Sequence, residues 1–227
     1  SLNREPYQRD WFNGAIPLIL QAKSDIAAGI DGEISLFSNC FWGCGLGGDY
    51  GTEAAFGYYW GHNYKMIDIA NNIIQGGDAL IAAGGTNEQL IKDVAEAKTF
   101  RAHSYFTLFR MFKNIYISTE PTTPDSAFDR VAEKSSVEEI FQLIREDLNF
   151  ASENLPYATA QFGRWNKGAV DHLRAKVELW EGNYSAAAAI IDEIVDEGPY
   201  ALVNVDQVFA DELAHSETLF AINFEKN

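Results

Sequence analysis

The chain has 227 residues, 47% of them hydrophobic, and its 33 acidic against 17 basic side chains give a formal net charge of −16. So much apolar content supports a sizeable core and excludes intrinsic disorder, while the negative charge would repel a phosphate backbone and excludes nucleic acid as a partner. No run approaches the roughly 20 apolar residues of a spanning helix, and the opening Ser-Leu-Asn-Arg-Glu-Pro lacks a signal peptide's apolar stretch, as expected of soluble, mature or trimmed material.

In chain order, residues 11–28 read as a helix. A glycine-rich segment of about residues 29–61 follows, read as a loop; it holds nine of the eighteen glycines together with Phe37, Phe41, Trp42, Tyr50, Phe56, Tyr58, Tyr59 and Trp60. Residues 58–75 return to helical spacing through Tyr64, Ile67, Ala70, Asn71 and Ile74. Thr86 and Gln89 have the form of a capping box ahead of a long helix whose stripe is Leu90, Val94, Ala97, Tyr105, Leu108, Phe109 and Phe112. Pro121, Pro124 and the polar residues around them make 114–134 a long surface loop.

Ser136 and Glu139 form a second capping box before the stripe Val137, Ile140, Phe141, Ile144, Leu148, Ala151 and Leu155, which Pro156 ends. Ala169, Leu173, Val177 and Trp180 mark a third stripe with Gly182 as its stop. Tyr184, Ala187, Ala188, Ile191 and Val195 mark a fourth, closed by Gly198 and Pro199. Only Gly182 and Asn183 separate these two helices, which forces an antiparallel pair of the tetratricopeptide-repeat kind, although no clean 34-residue period shows. The expected fold class is all-α, with repeat-like helical pairs and long irregular loops in a single domain spanning 1–227.

Charged groups on the apolar stripes need partners. Arg101 lies four residues from both Ala97 and Tyr105, and Asp147 lies between Ile144 and Ala151, so the two are expected to form a buried ion pair with a structural role. Cys40 and Cys44 suit either a local disulfide or two thiols, and with His62, His103, His172 and His215 scattered they form no zinc pattern; no metal or cofactor is expected. No phosphate-binding loop or nucleophile elbow appears, and nothing singles out the pair of carboxylates, about 5 to 9 Å apart, that a glycoside hydrolase requires.

The sequence Glu96-Ala97-Lys98, then Arg101-Ala102 and Tyr105-Phe106, resembles the "EAKxxRAxxYF" helix of the SusD/RagB family. Trp60, Tyr64, Ile67, Ala70 and Asn71 resemble its preceding helix, and Asp147-Leu148, Ala151 and Leu155-Pro156 its "DLxxAxxxLP" helix. Gly163-Arg164, Lys167-Gly168-Ala169, Leu179, Gly182, Tyr184 and Ala187 follow in family order, with Glu217 and Phe220 later. Lys113 departs from the glycine usual after the long helix, and the Arg130 region fits loosely. The family is usually about twice this length, so the chain reads as an N-terminal portion.

The resemblance implies a non-catalytic, lipid-anchored protein on the bacterial outer membrane, its anchor outside this chain, which binds oligosaccharide or polysaccharide and passes it to a TonB-dependent, SusC-like transporter. In the glycine-rich loop, sugar C–H faces would stack on aromatic rings while hydroxyls take polar partners. Trp42 and Phe41 beside Asn39, and Tyr50 beside Asp49, are the expected ligand-binding residues, Trp42 first because indole offers the largest face. The competing expectation is a helical-repeat scaffold that binds a protein and no sugar.

Overall fold

The computed structural model describes residues 50–85, 87–126, 133–159, 161, 163–208 and 215–221, and of 50–56 and 58 the backbone alone. The chain divides into two units, Ser1–Lys65 and Met66–Asn227. Every regular element among the described residues is a helix: α1 (Tyr50–Ala82), α2 (Glu88–Phe112), α3 (Val137–Asn154), α4 (Lys167–Glu181), α5 (Tyr184–Glu197) and the short α6 (Val205–Val208). The helix expected over 11–28 lies outside the described residues.

α1 is longer at both ends than its apolar spacing indicates, and its first turns occupy part of the stretch read as loop. Gly57 and Gly61 sit within it, where an added Cβ would meet nothing within 4 Å. There they are surface positions of a helix, with no turn to serve; glycine permits a turn but does not dictate one. Within the first unit, the Trp60 and Tyr64 rings lie 4.9 Å apart and the Asn63 amide donates to the Tyr59 carbonyl at 2.8 Å. The helix ends at Gly84, whose φ of +91° lets Gly85 donate back to the Leu80 carbonyl at 2.9 Å.

Within the second unit, α2 packs on α3, α3 on α4 and α4 on α5, as successive hairpin layers of tetratricopeptide type. The cap of α2 is Asn87, one residue beyond the expected Thr86: its side chain accepts from the Gln89 backbone N–H at 2.9 Å, and the Gln89 side chain bonds Asp93 instead. The capping box of α3 is as expected, with Glu139 N–H donating to Ser136 Oγ at 3.2 Å and Ser136 N–H to Glu139 Oε2 at 2.8 Å. Gly182, at φ +80°, turns the chain between α4 and α5.

The stripes of α2 and α3 form the core, where Val94, Tyr105, Leu108, Ile140, Phe141, Ile144 and Leu148 are buried. The stripe read for α5 is rotated from the one the fold buries. Ala187 and Ile194 face inward, while Tyr184 is 70% and Val195 67% exposed and Ile191 is exposed as well. α5 is apolar on more than one side, so periodicity alone does not select the face that packs.

The described part of the 114–134 loop is irregular, as expected, and is tied to the helices. The Tyr105 hydroxyl accepts from the Ser118 N–H at 2.7 Å and donates to its carbonyl at 2.8 Å, Thr122 N–H donates to Asp68 at 2.6 Å, and Ile115 is buried.

Candidate functional site

Of the expected ligand-binding residues, Asn39, Phe41, Trp42 and Asp49 lie outside the described residues. Tyr50 opens α1, but its side chain is not described. Cys40 and Cys44 also lie outside them.

The ion pair expected between α2 and α3 is present. Arg101 Nε donates to Asp147 Oδ2 at 2.7 Å and Nη2 to Oδ1 at 2.8 Å, Nη1 reaches the Asn71 side chain of α1 at 2.9 Å, and Lys98 approaches Asp147 at 3.4 Å. Asn71 in turn donates to the Ser118 carbonyl at 2.8 Å. With the Arg101 and Asp147 side chains buried and bonded to each other and to Asn71, the cluster joins three helices and the loop and is structural. Asn71 was read only as part of a helical stripe; its pairing with Arg101 depends on how α1 crosses α2, which local spacing does not encode.

Two other basic centres are similarly engaged. Arg164 bonds Glu96 at 2.8 Å and Asp93 at 3.0 Å, fixing the turn before α4 to α2. Arg145 bonds Glu178 at 2.7 Å and also Glu181, and Arg174 bonds Asp171 at 2.8 Å and Asn149 at 3.1 Å. These last two arginines flank a cavity of about 370 Å³ between α3, α4 and α5, floored by Leu148 and Val177. Their carboxylate partners leave it little unsatisfied charge for a ligand.

A different surface lies where α2 approaches α4. Trp165, buried, stacks on Phe220 with ring centroids 4.8 Å apart and 17° between planes, and meets Phe100 edge-on at 5.9 Å. His103 lies 6.1 Å from Trp165. Farther along, Trp180 meets Phe106 edge-on at 6.2 Å, and the Arg110 guanidinium sits over the Phe106 ring at 4.7 Å. Trp180 is 49% exposed, a departure from its reading as a core position of α4, while His172 and Lys176 on the same helix are also exposed.

Desolvation by neighbouring protein atoms, followed by the charges of Arg110 and Lys176, lowers the His103 pKa below the usual histidine value. Desolvation and then Lys176 lower His172 as well. Both rings therefore favour the neutral form beside two permanent cations. The sequence signal was available but unused: His103 and Arg110 are seven residues apart, off the apolar stripe of α2.

Among the described residues no group of three or more His, Cys, Asp or Glu side chains could hold a metal ion, and no helix is long and apolar enough to cross a membrane.

The stacked helical hairpins place the chain among helical-repeat proteins of tetratricopeptide type. The family model described as SusD-like, starch-binding and associating with outer membrane matches residues 23–179, and the chain belongs to this family. It is 27% identical over 175 residues to the SusD-like protein P25 of Formosa agariphila, covering 74% of this chain and 32% of that protein. It is 27% identical over 120 residues to a SusD-like protein of Bacteroides ovatus, covering 53% of this chain and 21% of that one. Among solved structures, a laminarin-binding SusD-like protein superposes with a TM-score of 0.71 at 28% identity, covering 91% of this chain and 45% of its own. The chain thus spans less than half the length of these relatives.

Proposed function

We propose that this chain is part of a non-catalytic, surface-exposed outer-membrane lipoprotein that binds oligosaccharide or polysaccharide and delivers it to a TonB-dependent, SusC-like transporter. The observation that carries the reading is the similarity, over 91% of the chain, to a structure described as laminarin-binding, together with a family description that names starch binding and the outer membrane. Trp42, Phe41, Asn39, Tyr50 and Asp49 are the proposed ligand-binding residues, supported by a composition that supplies stacking faces and hydroxyl partners in one segment. The chain's acids are largely taken up in structural pairs where they are buried, Asp147 with Arg101 and Asp171 with Arg174, which accords with a binding role without catalysis.

The test is affinity electrophoresis of the full-length protein and of Trp42→Ala through gels containing soluble polysaccharides, laminarin and starch among them. Retardation that the substitution abolishes is the expected result. Retardation unchanged by it moves the site away from Trp42. No retardation by any glycan, with capture of the transporter in a pull-down, would replace this reading with that of a protein-binding scaffold.

A further inference from the structure

We draw no further inference here: the strongest candidate, the apolar outer face of α5 formed by Tyr184, Ile191 and Val195, is exposed in a chain that spans less than half the length of its relatives, and nothing in the structure shows what covers it.

Discussion

Arg101 and Asp147 meet in a side-on, two-bond geometry, Nε to Oδ2 at 2.7 Å and Nη2 to Oδ1 at 2.8 Å, with only 4% and 1% of their surfaces exposed. Such a pair gains little over an apolar pair of the same shape, because both ions give up hydration, but either ion left alone is costly. Asp147→Ala is expected to lose about 3–5 kcal/mol in urea unfolding, since it strands Arg101 and also removes the partner of Lys98. Arg101→Met with Asp147→Leu should lose far less than the sum of the single changes. A single-variant loss below about 1 kcal/mol would mean that water reaches the pair.

Lys113 supplies a second test. It has φ +58° and ψ −47°, and the Asn114 N–H donates to the Phe112 carbonyl at 2.6 Å, closing a γ-turn around a residue that carries a Cβ. This is the position where the family motif has glycine, so the departure puts a side chain where the backbone favours none. Lys113→Gly is expected to raise stability by about 1 kcal/mol, relief of strain exceeding the added entropy of the unfolded chain. Lys113→Ala, which keeps the Cβ, should leave it nearly unchanged. Thermal melts of the three proteins compare these directly.

The contrast between Lys113 and Arg101 shows which features local sequence carries. The Arg101–Asp147 pair was legible because each charge sits on its own helix's apolar stripe, and a charge forced inward has few ways to be satisfied. The Ser136–Glu139 cap and the Gly182 turn were legible because their chemistry is local. The buried face of α5 was not, because Tyr184, Ile191 and Val195 are as apolar as the Ala187 and Ile194 that pack, and tertiary contact decides between them. Nor was the α2–α4 face, which is assembled from residues about 70 apart in the chain, His103 and Arg110 against His172, Lys176 and Trp180. Each of these had only a bland local meaning.

Acid should weaken one hinge of the repeat measurably. Glu178 accepts from Arg145 at 2.7 Å and from the Asn183 side chain at 2.7 Å, and the Arg145 bond chiefly holds its pKa below the usual carboxylate range. A depressed folded-state pKa stabilises the fold at pH values above the ordinary glutamate value, and the gain is lost as pH falls through the folded-state value. Because Arg145 is 35% exposed, screening limits the gain to under about 1 kcal/mol. The stability gap between wild type and Glu178→Gln, read by urea unfolding, is therefore expected to be largest near neutral pH and to shrink as pH falls below the ordinary glutamate range. A gap independent of pH would assign the loss to hydrogen bonding with Asn183.

Adjacent glycines in α1 should respond with opposite signs. An added Cβ at Gly76 meets nothing within 4 Å, whereas at Gly77 it falls 2.2 Å from Val94 Cγ2, with Leu90 Cδ1 at 3.8 Å. Gly76→Ala therefore takes only the helix-propensity gain and is expected to stabilise by about 0.5–1 kcal/mol. At Gly77 the same gain is opposed by overpacking of about 1–3 kcal/mol. Val94 is fully buried and, as a β-branched residue in a helix, has essentially one side-chain rotamer available, so it cannot swing aside and α1 must move off α2. Gly77→Ala is accordingly expected to lose about 1–2 kcal/mol in denaturant unfolding. Two losses would mean that α1 meets α2 over a wider front; two gains would mean that the close approach at Gly77 relaxes in solution.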